Sequence, residues 1–83
     1  MPEKILALKI RNHPAVIARI AGLFVRRAYS LSSLDCRPGN DNGSAMMYIT
    51  VPDNVQLPQV VKNLQKLYDV HEVAVTAAGA YTL

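Results

Sequence analysis

One cysteine, four glycines, one phenylalanine, four tyrosines and no tryptophan are all that this 83-residue chain has of the residues that usually build disulfide scaffolds, phosphate cradles or stacking platforms. Cys36 has no second thiol to pair with, which excludes the small cross-linked secreted folds. No apolar run approaches the roughly 20 residues that a spanning helix needs, so no membrane partner is expected. The opening Met1-Pro2-Glu3-Lys4 lacks the charged, apolar and small-residue succession of a secretory signal, and a soluble, cytoplasmic protein is the expectation. Histidine occurs only at His13 and His71, far apart, and no cysteine or carboxylate cluster accompanies either at metal-ligand spacing, so no metal site is expected. Nine basic residues against six acidic ones give a net charge of +3, but they are scattered, with only Arg26 and Arg27 adjacent. A nucleic-acid footprint needs a clustered basic face, and none is expected here.

What the chain does have is apolar residues, 51% of the total, in two alternating periods. Leu6, Leu8 and Ile10 recur at period two within residues 4 to 11, the mark of a half-buried strand. Val16, Ile17, Ile20, Leu23 and Phe24 then recur at three- and four-residue spacing, which makes an amphipathic helix of about 14 residues. Ser30 to Pro38 reads as a second strand. Pro38-Gly39-Asn40-Asp41-Asn42-Gly43 supplies the residues of a hairpin, and Ala45 to Val51 returns as a third strand. Pro52-Asp53-Asn54 precedes a second helix with Val60, Val61, Leu64 and Leu67 on its buried stripe. Pro58 has to lie in its first turn, so the helix is expected to begin near residue 55 or beyond. Val70 to Thr76 is the fourth strand, and residues 77–83 read as a loose tail.

The order βαββαβ repeats one strand-helix-strand unit at an offset of about 40 residues, the split βαβ pattern. Right-handed crossovers then predict an α+β, ferredoxin-like fold over residues 4–76: a four-stranded antiparallel sheet, its first and third strands central, with both helices on one face. The second strand is left at an open edge. A chain this small buries only about 60% of its unfolded surface, so pairing of that edge with a second copy is the expected remedy.

Between the first strand and the first helix stands Asn12-His13-Pro14-Ala15-Val16. A polar residue followed by proline is how helices start, and the first amides of a helix lack intrahelical partners, so this turn is the best place on the chain for a small carboxylate. Asn12 offers both a donor and an acceptor, and Val16 stands close enough to meet an apolar side chain. No catalytic constellation accompanies it. Ser30, Ser32, Ser33 and Ser44 lack a strand-turn-helix elbow, and Cys36 has no paired base. A phosphatase of the acylphosphatase type needs glycine in the loop after the first strand, where this chain has none. An RNA-recognition module needs aromatic residues on the central strands, where only Tyr48 stands.

Two segments resemble a known family. Arg11-Asn12-His13-Pro14-Ala15-Val16 with Gly22-Leu23-Phe24-Val25-Arg26-Arg27-Ala28-Tyr29-Ser30, and Leu64-Gln65-Lys66-Leu67-Tyr68-Asp69-Val70-His71-Glu72-Val73, closely resemble the ACT domain of acetohydroxyacid synthase (acetolactate synthase) regulatory small subunits, in its short single-domain form. The resemblance spans residues 4 to 76. It implies a non-catalytic subunit of branched-chain amino acid biosynthesis that binds a catalytic large subunit, raises its activity and in many members confers feedback inhibition by valine. Thiamine diphosphate, magnesium and FAD would belong to that partner, and no cofactor to this chain. It also implies an effector site at a homodimer interface, with Asn12, His13, Pro14, Ala15 and Val16 of one copy facing Ser30 and Leu31 of the other. Helix amides would hold the carboxylate and Leu31 the aliphatic side chain. The family usually has glycine where this chain has Ala15, and many members have asparagine where it has Ser30. Arg19, Arg26 and Arg27 are candidates for the surface that meets the catalytic chain. The alternative function is a stand-alone amino-acid sensor that regulates an unrelated partner.

Overall fold

The computed structural model describes residues 3–26, 29–39 and 43–77. Strand β1, Glu3–Arg11, turns Leu6, Leu8 and Ile10 to the core, all three without solvent exposure. Strand β3, Ser44–Pro52, does the same with Ala45, Met47, Ile49 and Val51. The two pair antiparallel so that Leu6 faces Ile49, Leu8 faces Met47 and Ile10 faces Ala45. The period-two pattern in both segments therefore stacks into one apolar face, as alternation along a strand requires. Strand β2, Ser33–Pro38, joins the outer side of β3, and β4, Val70–Ala77, joins the outer side of β1, giving the order β2-β3-β1-β4 with β2 and β4 at the edges. Between Lys9 and Ile10 the pairing with β4 slips: Lys9 faces Glu72 but Ile10 faces Val70, leaving His71 as the extra residue of a bulge.

Helix α1, Pro14–Arg26, buries Val16, Ile20, Leu23 and Phe24 against this face, and α2, Leu57–Gln65, adds Leu57, Val60 and Leu64 to the same core. Pro58 stands in the first turn of α2, where its missing N–H was not needed. Asn54 Oδ1 accepts from the Gln56 amide at 2.9 Å and so forms the bend that leads into the helix. The helix thus begins at Leu57, within the expected range, because the Asn54 turn occupies the residues before it.

The second strand begins three residues later than its pattern suggests. Tyr29 is buried beside Phe24, their ring centroids 6.1 Å apart, and its hydroxyl donates to the Pro52 carbonyl at 2.6 Å. That anchor holds the chain across the end of the sheet. Only at Ser32, whose amide donates to Thr50 O at 2.8 Å, does it come alongside β3. Ser30 and Leu31 therefore lie in the connection and not in the strand. At the other end Ala77 belongs to β4 and not to the tail, while the rest of the expected tail, 78–83, lies outside the described residues.

The β2–β3 hairpin uses two glycines for different reasons. Gly43 has φ +89°, a left-handed conformation that costs a side chain dearly. A Cβ on Gly39 would meet Ser44 Oγ at 2.5 Å and its backbone at 3.2 Å, so the two arms approach more closely than any other residue permits.

Candidate functional site

The turn after β1 is held by His13 more than by Asn12. His13 precedes the first helical residue, and its Nδ1 accepts from the Ala15 amide at 3.1 Å. Its carbonyl accepts from Val16 at 3.0 Å and from Ile17 at 3.2 Å, and Pro14 has no N–H to offer. The amides that a helix start leaves open are thus all engaged by one residue. Asn12 instead donates its backbone N–H to Gly43 O at 2.8 Å, tying the turn to the hairpin, and His13 N–H reaches Arg11 O at 3.0 Å. A carboxylate arriving at Ala15 has to displace the imidazole, which is exposed.

Asn12, His13, Pro14 and Ala15 are exposed, whereas Val16 is 3% exposed and part of the core. The first turn of α1 faces the sheet at position 16, so Val16 supports the turn from beneath. Leu31, 38% exposed, is the large aliphatic side chain left open among the expected site residues, and Ser30 beside it is exposed as well.

Asp69 is a residue whose role here sequence reasoning missed. It sits before β4, is 7% exposed, and clamps both flanks of the turn. Its carbonyl accepts from Arg11 N–H at 2.9 Å, and its carboxylate accepts from Arg19 Nη1 at 3.0 Å with Arg11 Nη1 at 3.7 Å. The strand before the turn and the helix after it are therefore fixed to a third element. Arg19, a candidate for the docking surface, faces Asp69; Arg26 is exposed at the end of α1, and Arg27 lies outside the described residues. Only an acid standing alone before a strand marks this clamp in the sequence, because Arg19 is fifty residues away.

One chain does not bring the two expected walls together. Ser33, the first residue of β2, lies level with Thr50 and through it with Ile5, while the Asn12 turn follows Arg11. At about 3.4 Å per residue those levels are roughly 20 Å apart. Ser32 at the near end is held by its hydroxyl, which donates to Glu3 Oε2.

Cys36 is half-buried on β2, and its thiol is pushed up from its ordinary value by burial and by the charge of Asp35. A thiol so held is a poor nucleophile at neutral pH. His71 is exposed at the β4 bulge. Among the described residues no group of histidine, cysteine and carboxylate side chains could hold a metal ion.

A β2-β3-β1-β4 sheet with both helices on one face is the ferredoxin-like arrangement in which ACT domains are built. Within that class the chain belongs to the family described as the AHAS small subunit-like ACT domain, which matches residues 6–72. It is 38% identical over 69 residues to the acetolactate synthase isozyme 1 small subunit of Escherichia coli K12, covering 83% of this chain and 72% of that protein. It is 37% identical over 80 residues to the isozyme 3 small subunit of the same organism, covering 95% of this chain and 49% of the relative. The crystal structure of the acetolactate synthase small subunit from Thermotoga maritima superposes with a TM-score of 0.81 at 26% identity, over 90% of this chain and 47% of that one. The chain thus spans nearly three quarters of the first relative and about half of the other two.

Proposed function

We propose that this chain is a non-catalytic, regulatory subunit of acetolactate synthase, acting in branched-chain amino acid biosynthesis in the cytoplasm. In this reading it pairs with itself through β2, binds the catalytic large subunit and raises its rate. Thiamine diphosphate, magnesium and FAD belong to that partner. The effector is valine, held between Asn12, His13, Pro14 and Ala15 of one copy and Ser30 and Leu31 of the other, with Val16 as the floor.

The observation that carries the shared site is the direction of β2. This strand runs parallel to β1, since both are antiparallel to β3, so Ser30 and Leu31 lie at the end of the sheet opposite the Asn12 turn. A two-fold axis through paired β2 edges reverses one copy end for end. Ser30 and Leu31 of the second copy then come to the end where the Asn12 turn of the first stands. The β2 edge carries neither a lysine nor a proline before its last residue, so nothing within it forbids pairing. Valine's carboxylate would take the Ala15 amide in place of the His13 imidazole, and its isopropyl group would rest on Leu31.

The test is to add the purified chain to an acetolactate synthase catalytic subunit from the same organism. A rise in rate and a complex on gel filtration are expected, and absence of both removes the subunit reading. Titration calorimetry with valine, leucine and isoleucine then examines the effector, with Asn12→Ala expected to weaken binding. Binding that this substitution leaves unaltered would place the effector elsewhere. Tight binding by a dimer that leaves the synthase rate unchanged would favour the stand-alone sensor.

A further inference from the structure

We propose that Asp35 and Arg37 set the register in which two copies of this chain pair, with the two-fold axis at Cys36. The inference rests on the edge-paired dimer proposed above and fixes which residues of β2 meet across it.

Gly39 N–H donates to Ser44 O at 3.0 Å, so the odd-numbered residues of β2 aim their backbone groups at β3, and Leu34, Cys36 and Pro38 aim theirs outward. Pro38, which has no N–H, thus stands where a missing donor breaks no bond within the sheet. The side chains alternate as well. Ser33, Asp35 and Arg37 share the face of Thr50, Tyr48 and Met46, away from the helices, and Cys36 shares the helix-bearing face of Met47. Arg37 Nε donates to Asp35 Oδ2 at 2.7 Å, and both side chains are half exposed on that open face.

Two-fold pairing across an edge sets side chains of the same face opposite one another, so the axis must pass through a residue. With the axis at Asp35, two carboxylates face each other. At Arg37, two guanidiniums do. At Cys36, Asp35 of each copy faces Arg37 of the other, and the two intrastrand pairs close into a ring of four alternating charges. Opposite charges directly across a pair of strands stabilise it and like charges destabilise it, so the sequence Asp-Cys-Arg is complementary to its own reverse. Cys36 then faces its copy through outward N–H and C=O groups that bond reciprocally, and Leu34 N–H meets the second copy's Pro38 carbonyl. This register also carries Ser30 and Leu31 of the second copy toward Gly43, whose carbonyl holds Asn12.

The test is charge exchange read by analytical ultracentrifugation. Asp35→Arg and Arg37→Asp should each raise the dimer dissociation constant by about tenfold or more, because each variant sets like charges opposite at both contacts. An equimolar mixture of the two should dimerise far better than either variant alone, since both cross-strand contacts are again opposite. The register is read directly by disulfide formation in a Cys36→Ser background. Across the seam residues 35 and 37 form non-hydrogen-bonded pairs with Cα atoms about 4.5 Å apart, within disulfide range. Diamide, which takes two electrons and two protons from two thiols as the S–S bond forms, should cross-link Asp35→Cys to Arg37→Cys in the mixture and neither variant to itself. Self-linking of either variant, or a dimer that survives both charge substitutions, overturns the register while leaving the dimer in place. A parent chain that stays monomeric overturns the shared site itself.

Discussion

The Arg19 guanidinium donates to the Asp69 carboxylate at 3.0 Å, joining the second turn of α1 to the residue before β4. Asp69 is buried while Arg19 is half exposed, so the two ends of this bond are not equivalent. Removing the carboxylate takes the acceptor from both Arg11 and Arg19; removing Arg19 leaves Asp69 beside Arg11. Asp69→Ala should therefore cost about 1–3 kcal/mol and Arg19→Ala less than about 1 kcal/mol, with the double variant close to Asp69→Ala alone. Urea unfolding of the four proteins checks this.

The imidazole cap gives a second prediction. His13→Ala frees the Ala15 amide and should lower stability by about 1 kcal/mol, while His13→Ser, which restores an acceptor at the same position, should recover most of it. Amide hydrogen exchange checks the mechanism: Ala15 exchanges faster in His13→Ala, with the central strands unchanged until global unfolding.

Gly43 should tolerate little. At φ +89° an alanine is strained, and Gly43→Ala should cost about 1–2 kcal/mol, Gly43→Asn less. Because the Gly43 carbonyl also holds Asn12, the loss should appear at the effector turn as well. NMR shifts of Asn12 and His13 amides are the readout.

Tyr29 predicts a pH dependence. Burial first, and the charge of Asp53 second, raise its phenol above the ordinary value of about 10. The unfolded chain therefore loses this proton at lower pH than the folded one. The contribution is complete below pH of about 10 and is lost as pH rises through the raised folded value. Tyr29→Phe should remove that part of the alkaline destabilisation. It also strips the Pro52 carbonyl of its donor, at about 1–2 kcal/mol near neutral pH. Denaturation midpoints of both proteins from pH 8 to 11 check the sign.

Much of this was legible in the sequence, and particular residues show where legibility stopped. Leu6, Leu8 and Ile10 alternate and are buried, because a strand against a core leaves no other arrangement. Ser30-Leu31-Ser32 alternates in the same way yet lies outside β2, since the Tyr29 hydroxyl and the Pro52 carbonyl, distant in sequence, decide where the chain turns. Val16 stands next to the turn in sequence, and the phase of α1 on the sheet, which the turn alone does not reveal, places it in the core beneath. The polar turn was visible at once, whereas which residue caps it depended on where the helix begins: Pro14 is the first helical residue, and that makes His13 the cap.

The sequence by itself determined the order of elements, the buried faces, the hairpin glycines and the family, because periodicity, turn chemistry and motif register are all local properties of the chain. Tertiary structure alone decided that Asp69 grips both flanks of the Asn12 turn and that Ser30 and Leu31 stand at the far end of the sheet from that turn. Each of these depends on how distant segments approach one another, and hydrogen bonds and ion pairs across such distances leave no trace in local pattern.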